Sequence, residues 1–386
     1  MVKDQPIIAQ VDLGNSDFNM ILCKPDGSRT EKIMPHDFIR LDDTQWNRRV
    51  SRAKVQKARV DKSQCFKLKM GKDSMLPVLI GEEARLAPDS HRQLGSNKYE
   101  VGYMDALVCA GLSELFPVNE YPKGHDNIIL GIGYPTTEID HLGRLIGIVG
   151  KPHYIEDVDG NKRKFVIRKV IPTDEALGGL LRYKELYGDM NYFDLDPGKQ
   201  IIWIDIGGHI GSMGVVTMNE DGNLVPLYRE VRAINQGILD TFNALRDTLS
   251  YHHPEQFRGM IPSHNMLKEA LLTQQIYFAK TGETLDVTSA VVDACSILDD
   301  IDRIYKSRPF NSGRGYEGIV MTGGGTGALS NLLIAMLSHE SALPADDLST
   351  INFANVRGGL IATLAALMAD GLLPDIYGKV FYADTK

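Results

Sequence analysis

A strand–turn–strand pattern that occurs twice constrains this chain more than any other feature. The first copy, IIAQVDLGNSDFNMILCKPDGS, runs from Ile7 to Ser28, and the second, IIWIDIGGHIGSMGVVTMNEDGN, runs from Ile201 to Asn223. Each copy has an apolar run ending in Asp-X-Gly, a short polar turn, a second apolar run and an Asp-Gly turn. Two such hairpins predict two similar half-domains that face each other. The carboxylates at the hairpin tips, Asp12 and Asp205, are what a metal-bound polyphosphate would need.

The glycines beside these carboxylates suit the binding of an anion. Successive backbone N–H groups in a glycine turn form a concave anion site, and no Cβ blocks the approach of phosphate oxygens. A carboxylate at the strand end can hold Mg²⁺, usually through water, because this ion gives up its hydration shell reluctantly. Asp-X-Gly is also common in ordinary hairpins, so one copy carries little weight. Two copies in matching contexts favour phosphate binding.

A third glycine cluster, Gly323-Gly324-Gly325-Thr326-Gly327, follows the apolar run from Ile319 to Met321. A strand, a glycine-rich turn and a helix form the usual setting in which a nucleotide lies against backbone. The cluster is not a Walker loop, because no Lys-Ser/Thr follows it, and it lacks the GxGxxG spacing with a downstream acid. Taken alone, a flexible turn is an equal alternative. As the third element of the set, the cluster is expected to carry the adenosine.

Length and composition set further bounds. A chain of 386 residues is long for a single core, so two domains are expected. The formal net charge of -8 argues against broad, non-specific nucleic-acid binding. The cysteines show no CxxC spacing, which argues against a zinc site or a disulfide framework and favours a reducing, cytoplasmic location. They are Cys23, Cys65, Cys109 and Cys295.

Neither a secretory signal nor a membrane span is expected. The N-terminus runs straight into a strand pattern and has no long apolar core. No stretch of eighteen uncharged apolar residues occurs in the sequence. The closest approach is the segment from Gly358 to Ala369, which is predicted to be a buried helix.

One segment of the chain is strongly basic. From Gln45 to Lys72 there are ten Lys or Arg residues and only one acid, Asp61. This composition predicts an inserted subdomain, about residues 35–75, with a positive face. The face could dock an acidic partner, the next subunit of a filament or nucleic acid, although a solvated surface is the commoner explanation. Only Trp46 and Phe66 are aromatic in this segment, which is too few to stack single-stranded bases.

Hydrophobic periodicity predicts an alternation of strands and helices. Residues 7–34 are predicted to form three strands joined by tight turns, and residues 172–174 a turn that opens a helix from Glu175. Further strands are predicted over residues 78–80, 127–133, 164–171 and 318–321. Further helices are predicted over residues 105–116, 137–148, 237–249, 266–277, 287–305, 331–337 and 360–369.

The order of these motifs resembles that of the actin superfamily, with its two phosphate motifs, its adenosine motif and two connecting helices. The likeness is greatest to the bacterial plasmid-segregation actins of the ParM/StbA type and their archaeal relatives, and it spans nearly the whole chain. Four segments carry it in addition to the hairpins: IGEEAR (Ile80–Arg85), GYPTTEID (Gly133–Asp140), VMTGGGTGAL (Val320–Leu329) and FANVRGG (Phe353–Gly359).

The resemblance implies an α/β fold of the ribonuclease H-like, actin-like type. Its two lobes would each have a mixed sheet flanked by helices, and MgATP would bind in the cleft between them. Domain I would comprise residues 1–172 and 346–386, including the basic insert, and domain II residues 173–345. The implied cofactors are ATP or ADP and Mg²⁺, and the sequence does not distinguish ATP from GTP.

The resemblance also implies roles for individual residues. Asp12 and Asp205 would position the hydrated Mg²⁺, and Asp205 would also serve in catalysis. Glu175 would orient the attacking water, with Thr173 and Asp174 as alternatives if the register differs. The phosphates would be held by Gly14, Asn15, Ser16 and Asn19 on one side and by Gly207, Gly208 and His209 on the other. His209 would act there by its side chain or by its backbone N–H alone. The adenosine would lie against Gly323, Gly324, Gly325 and Thr326.

The chain departs from the family pattern at two positions near the phosphates. The first motif usually has a Lys seven residues after the Asp, and this position is Asn19 here. The second motif usually ends in Thr-x-Asp, and here it reads Ile210-Gly211-Ser212. Both changes remove charge. A neutral Asn can still hydrogen-bond a phosphate oxygen but gives up the charge-assisted part of that bond. Slow hydrolysis or looser nucleotide selection would follow.

The function that the resemblance implies is that of an ATP-hydrolysing filament protein. Its subunits would associate with one another, and a DNA-binding adaptor would link the filament to plasmid or other DNA cargo, with no direct nucleic-acid contact required. The alternative is a small-molecule kinase of the same superfold. A kinase would need a catalytic Asp base near a polar substrate pocket, and Asp174 is the candidate for that base.

Overall fold

The computed structural model describes residues 6–13, 17–35, 37–55, 65–69, 75–85, 103–136, 140, 142–147, 151–187, 196–310, 315–337 and 342–372. The chain divides into two compact units. The first comprises Met1–Glu175 and Gly359–Lys386, and the second comprises Ala176–Gly358.

A nine-stranded mixed sheet forms the framework of the first unit in the part of the chain that is described. Its strands are β1 (Ile7–Leu13), β2 (Asp17–Cys23), β3 (Arg29–Pro35), β4 (Phe38–Arg40), β5 (Cys65–Lys69), β6 (Met75–Ile80), β7 (Gly124–Tyr134), β8 (Pro152–Asp157) and β9 (Lys162–Asp174). They lie in the order β3-β2-β1-β7-β9-β8-β5-β6-β4. The helices up to β9 are α1 (Asp43–Val55), α2 (Glu82–Arg85), α3 (Tyr103–Leu115) and α4 (Leu142–Ile146).

The centre of this sheet brings three strand ends together. β1 runs parallel to β7, and β7 runs parallel to β9, whereas β1, β2 and β3 form an antiparallel meander. The apolar helix α3 covers β2 closely, because Gly111 has no side chain. A Cβ at Gly111 would lie 2.5 Å from Cε1 of Phe18 and 2.9 Å from Sδ of Met20. The carboxyl ends of β1, β7 and β9 therefore meet at one edge of a well-packed sheet.

The described part of the basic segment, which was predicted to be an inserted subdomain, extends this sheet. β5 pairs with β8, and β6 pairs with both β4 and β5. α1 packs through Trp46, which is 4% exposed, against a small core with Cys65 and Leu79. The prediction missed β8, the strand that joins this region to the rest of the sheet. Residues 56–64 and 70–72 of the segment lie outside the described residues.

The second unit has a smaller sheet with helices on both faces. Its strands are β10 (Gln200–Ile206), β11 (Gly211–Met218), β12 (Leu224–Pro226), β13 (Arg232–Ile234), β16 (Ile319–Thr322) and β17 (Ala342–Pro344), and β14 (Gln275–Phe278) and β15 (Glu283–Asp286) form a separate hairpin. The helices are α5 (Glu175–Tyr187), α6 (Ile238–His252), α7 (Pro254–Phe257), α8 (His264–Thr273), α9 (Thr288–Ala294), α10 (Ser296–Tyr305), α11 (Thr326–Met336) and α12 (Ala354–Ala369).

The side chains of β10 alternate between two cores, as successive residues of a strand must. Ile202 and Ile204 belong to a core with α6, α8, α9, α10 and α11. Ile201 and Trp203 belong to a core on the other face, with residues of α5 and Ala354 of α12. Burial on both faces explains why β10 reads as a nearly continuous apolar run.

Glycines let α5 and α12 approach closely within the second unit. A Cβ at Gly358 would lie 1.6 Å from the carbonyl oxygen of Gly178. A Cβ at Gly179 would lie 2.5 Å from Oγ1 of Thr322 and 3.0 Å from Oδ1 of Asn355. The first turn of α12 can therefore reach the end of β16.

The unit boundaries differ from the predicted domain boundaries at residues 172/173 and 345/346. The first division falls at the start of α5, where β9 has already ended. The second falls within α12, because residues 346–358 bind the second unit. Asp346 accepts hydrogen bonds from Arg182 and Arg357, and Asn355 bonds Asp205.

Several predicted elements differ in the structure. The predicted turn at residues 172–174 is the end of β9, which continues to Asp174. The helix predicted over 266–277 ends at Thr273, because Gln274 adopts a left-handed conformation with φ of 57° and its N–H bonds the carbonyl of Ala270. β14 begins at the next residue.

Other helices are interrupted or longer than predicted. The helix predicted over 287–305 is interrupted at Cys295 into α9 and α10. α11 begins at Thr326 and α12 at Ala354, each several residues before the predicted start. The predicted helix 137–148 is described only as α4, since residues 137–139, 141 and 148 lie outside the described residues.

The last helical segment is apolar enough to raise the question of a membrane. By length and composition alone, Ile351–Ala369 could cross one, and it is the one such helix among the described residues. Within its most apolar stretch, 56% is buried inside the protein. Leu360, Leu364 and Leu367 are each at most 1% exposed. The segment therefore packs as a core helix, as the sequence predicted.

Candidate functional site

Asp12 lies where three strands of the first unit end together. On β1 it is directly opposite Asn19 of β2 and opposite Gly133 of β7. Gly133 is in turn opposite Thr173 of β9. Asp12 is 5% exposed and Asn19 is 7% exposed. The structure therefore places a buried carboxylate and a buried amide side by side at the carboxyl edge of the parallel strands.

Glu175 reaches the same place because Gly133 has no side chain. A Cβ at Gly133 would lie 3.3 Å from Cγ of Glu175 and 3.4 Å from Cα of Asp12. Glu175 is 8% exposed and is the first residue of α5. Asp12, Asn19 and Glu175, which lie far apart in the sequence, are thus brought together within the first unit.

The two alternatives to Glu175 have other partners. The hydroxyl oxygen of Thr173 accepts a hydrogen bond from Nε2 of Gln10 at 3.1 Å. Asp174 accepts one from Oγ1 of Thr136 at 2.7 Å. Of the three, Glu175 is the one whose side chain meets Asp12 across Gly133.

Asn19 supplies the test of whether a hydrated metal fits this edge. Its Oδ1 atom is buried and has no hydrogen-bond partner among the described residues. A buried amide oxygen without a partner is costly, and a metal-bound water that donates a hydrogen bond would satisfy it. Carboxylate and amide oxygens are the groups that contact hydrated Mg²⁺ in proteins. The residues present therefore fit the ion. Gly14, Asn15 and Ser16, predicted to hold phosphate here, lie outside the described residues.

Asp205 occupies the matching position in the second unit. On β10 it is opposite Ser212 of the antiparallel strand β11 and opposite Thr322 of the parallel strand β16. In each hairpin the Asp is thus paired with the residue seven positions later, Asn19 or Ser212. Asn19 and Ser212, two of the residues at which the chain departs from the pattern it resembles, therefore lie directly across from the two carboxylates.

The turn after Asp205 is held by the start of α6. The N–H of Gly207 bonds the carbonyl of Ile210 at 3.1 Å, which closes the turn. The carbonyls of Gly207 and Gly208 accept from the N–H groups of Ile238 and Leu239. The first N–H groups of a helix have no partner within the helix, so those of α6 are free to bond the turn. These bonds hold the turn in place.

His209 lies in the same turn with its ring toward α6. Its Nδ1 is 3.6 Å from Oδ1 of Asp240, whose Oδ2 accepts from the N–H of Gly237. The side chain is therefore oriented toward a carboxylate. Of the two roles considered for His209, the contribution of a backbone N–H fits this geometry better.

The glycine cluster after β16 wraps around the end of β10. Gly323 has a φ of +85°, a conformation that favours glycine, and a Cβ there would lie 2.6 Å from Oδ1 of Asp205. The N–H of Gly325 bonds the carbonyl of Ile206 at 2.8 Å. A Cβ at Gly324 would make an ordinary van der Waals contact, 3.7 Å from Cβ of Asn352, so a side chain there would not collide. Thr326 is fully buried, its hydroxyl bonds the carbonyl of Thr322 and its N–H bonds the carbonyl of Gly323, so both of its donors are already engaged.

Sequence analysis assigned no role to two buried amides at these sites. Nδ2 of Asn355 donates to Oδ1 of Asp205 at 3.2 Å. Gln10 is fully buried, donates to Thr173 and accepts from Oγ1 of Thr363 at 2.7 Å. Gln10 stood out as a polar residue in an apolar run two positions before Asp12, and Asn355 lay within FANVRGG. Each signal was present in the sequence, but the partners lie far away along the chain.

The fold agrees with that of known actin-like proteins. No protein-family model and no curated protein matches the sequence. A non-polymerisable quadruple mutant of pCBH ParM is 18% identical, with a TM-score of 0.67, over 94% of this chain and 100% of that one. A 15-stranded ParM filament from Clostridium botulinum gives 17% identity, a TM-score of 0.67 and coverages of 94% and 99%. An archaeal actin homolog, Ta0583, in complex with ADP is 16% identical, with a TM-score of 0.65, over 93% of this chain and 99% of that one.

These likenesses span nearly the full length of both chains. The chain therefore has the α/β actin-like fold, and its resemblance to ParM-type proteins and archaeal actin homologs is confirmed at the level of the fold.

Proposed function

We propose that this chain is an actin-like filament protein that binds MgATP, hydrolyses it to ADP and phosphate, and polymerises in response. The observation that carries the proposal is the repeated placement of a carboxylate. Asp12 and Asp205 each end the first strand of an antiparallel hairpin, beside a parallel strand of the same sheet. A metal ion bound to a polyphosphate keeps several water molecules. Carboxylates on two separate hairpins could contact that water shell from two directions.

Different residues would contact the metal ion, the phosphates and the adenosine. Asp12 and Asp205 would contact the water shell of Mg²⁺, whose charge offsets that of the phosphates when it is bound. Gly208 would offer a backbone N–H to the phosphate, since the N–H of Gly207 already bonds the carbonyl of Ile210. Gly324 would offer backbone to the adenosine, since the N–H of Gly325 already bonds the carbonyl of Ile206. Asn19 would contribute a neutral contact where relatives carry Lys.

Glu175 is the proposed residue for hydrolysis. It begins α5 beside Asp12, where a carboxylate can hold a water molecule in line with the terminal phosphate. Positioning such a water supplies most of what phosphoryl transfer to water requires.

Filament formation is proposed from the likeness to ParM and archaeal actin homologs. Repeated head-to-tail contacts between identical subunits give open filaments when the rotation does not close. Loss of the terminal phosphate would weaken those contacts, because a ligand shifts a conformational equilibrium by its differential affinity for the two states. We further propose a cytoplasmic location and a DNA-binding adaptor that couples the filament to plasmid or other DNA cargo.

Sedimentation with different nucleotides tests the proposal. With MgATP, pelleted protein should appear above a critical concentration, whereas ADP or EDTA should leave the protein in the supernatant. Asp205→Ala should reduce ATP turnover at least about 100-fold, a loss in the range seen when one group that stabilises a transition state is removed. Asp221→Ala changes an exposed Asp in the far turn of the same hairpin and is the matched control. Unimpaired turnover in Asp205→Ala would remove the site assignment.

A small-molecule kinase is the second candidate, and one observation favours it. Asp174 is a buried carboxylate next to Glu175, held by Thr136, and such a group could act as a base toward a substrate hydroxyl. ATP turnover that requires a sugar or a carboxylic acid, without sedimentable polymer, would favour the kinase.

A further inference from the structure

We infer that Asn355 is a positioning residue that orients the Asp205 carboxylate toward hydrated Mg²⁺. The inference rests on the function proposed above and goes beyond it, because it assigns a role to a residue outside the hairpins and the glycine cluster. Asn355 lies in the first turn of α12 and is 7% exposed. Its Nδ2 donates to Oδ1 of Asp205 at 3.2 Å.

The Asn355 carboxamide is held at both ends, because its carbonyl oxygen has a hydrogen bond of its own. The hydroxyl of Thr322, a fully buried residue, donates to Oδ1 of Asn355. A hydroxyl can donate or accept, but the Asp205 carboxylate only accepts, so the NH₂ end of the amide faces Asp205 and the carbonyl end faces Thr322. The reverse orientation would place the amide oxygen against the carboxylate, with no proton between them.

The position of Asn355 is fixed by the backbone around it. Any side chain at Gly179 would collide with the hydroxyl of Thr322, and any side chain at Gly358 would collide with the carbonyl of Gly178. The glycines of α5 and α12 thus bring the first turn of α12 within reach of β10 and β16. Such close approach is needed because the Asn side chain is short.

Asp205 needs such a partner because it is only partly buried. A partly exposed carboxylate has several accessible rotamers, and the hydrogen bond from Asn355 selects among them. Groups that bond a metal-binding carboxylate hold it in its binding geometry, and their loss typically lowers metal affinity by about 10–100-fold. Asn355 should therefore affect the part of nucleotide affinity that depends on Mg²⁺ and leave the metal-free part unchanged.

Calorimetry with ADP, in Mg²⁺ and in EDTA, separates these two parts. For Asn355→Ala we expect the affinity gain that Mg²⁺ gives to ADP to fall about tenfold, the lower end of this range. The dissociation constant of ADP in EDTA should stay within about twofold of that of the unmodified protein. Asn331→Ala is the matched control, because Asn331 is an exposed asparagine of the same unit whose side chain donates to the carbonyl of Leu272. It should change neither constant.

Substitution of Thr322 tests the orientation of the amide separately. Thr322→Val keeps the shape but removes the hydroxyl, so it should lose part of the Mg²⁺-dependent gain, and Thr322→Ser should retain it. If circular dichroism shows that Asn355→Ala does not fold, the Thr322 variants still test the inference.

Two results would overturn the inference. If Asn355 has a purely structural role, Asn355→Ala should weaken ADP binding equally in Mg²⁺ and in EDTA. If Asn355 has no role, Asn355→Ala should change neither affinity. Either result would leave the proposed function standing, provided that the unmodified protein binds ADP more tightly in Mg²⁺. Absence of Mg²⁺-dependent binding in the unmodified protein would overturn the proposed function and the inference together.

Discussion

Asn19 is the residue whose replacement gives the most direct test of the first hairpin. It is buried opposite Asp12, at the position where the related pattern has Lys. Asn19→Lys would place a cation beside the phosphates, and charge-assisted hydrogen bonds are about twice as strong as neutral ones. We expect ADP to bind about tenfold more tightly, as measured by calorimetry. Asn19→Met introduces a side chain about as long as that of Lys but without its charge, and it should not tighten ADP binding. Equal binding by the Lys and Met variants would place the phosphates elsewhere.

The cysteines give a second prediction at the scale of single residues. All of them are buried and none forms a disulfide. Burial raises the pKa of Cys65 to about 12 and that of Cys295 to about 12, and it also raises the pKa of Cys23 and Cys109. Because the thiolate is the reactive form, the native protein should react very slowly with Ellman's reagent at pH 8, and denaturant should expose every thiol. A rapid reaction of any native thiol would contradict this burial.

The sequence singled out the carboxylates of the candidate site but not its buried amides Gln10 and Asn355. Asp12 and Asp205 were proposed because each follows an apolar run and stands close before a glycine, a purely local pattern. Gln10 and Asn355 were missed because their role depends on partners far along the chain. Asp205 is separated from Asn355 by 150 residues, and Gln10 from Thr363 by 353. Such pairs become visible only when the fold brings them together.

At the scale of elements, the crossing of α5 and α12 is the most sensitive contact in the second unit. Gly358→Ala would place a Cβ 1.6 Å from the carbonyl of Gly178, so the helices must separate. We expect the free energy of unfolding in urea to fall by about 1–3 kcal/mol, the usual cost of overpacking. Gly143→Ala is the control, because Gly143 is an exposed glycine of α4 and no other part of the described chain lies within 4 Å of its Cβ position. It should be neutral or slightly stabilising. Equal stability of both variants would contradict the close crossing.

Local pattern located most elements but not all of their ends. The strands of the first hairpin were correct because their alternation and turns are local signals. The helix predicted to reach Tyr277 ended at Thr273, since Gln274 takes a left-handed conformation and pairing with β15 makes the next residues a strand. The residues 172–174 looked like a turn because of Pro172, yet pairing with β7 keeps them in β9. In each case a tertiary contact overrode the local preference.

At the scale of the whole molecule, duplication of the hairpin predicted two units, and the structure has two. The predicted boundary lies before residue 346, whereas the second unit continues to Gly358. Residues 346–358 belong to the second unit because of their tertiary contacts. Asp346, Asn355 and Gly358 all contact residues of the second unit. No local feature of composition marks a boundary in the middle of a helix.

The proposal that one nucleotide is bound by both units can be tested by hydrogen exchange. If the phosphates contact both hairpins, MgADP should slow amide exchange in residues 14–16, between β1 and β2, and in the turn from Gly207 to Ile210. Both effects should reach half their maximum at the same ADP concentration, because a single binding equilibrium governs them. The Asp-Gly turns at the far ends of the same hairpins, Asp26-Gly27 and Asp221-Gly222, are the internal controls and should show no change. A nucleotide held by the second unit alone would protect Gly207 to Ile210 and the cluster from Gly323 to Thr326, while exchange in the first hairpin stayed the same. That outcome would refute a shared phosphate site, because Asp12 would then have no part in binding the nucleotide.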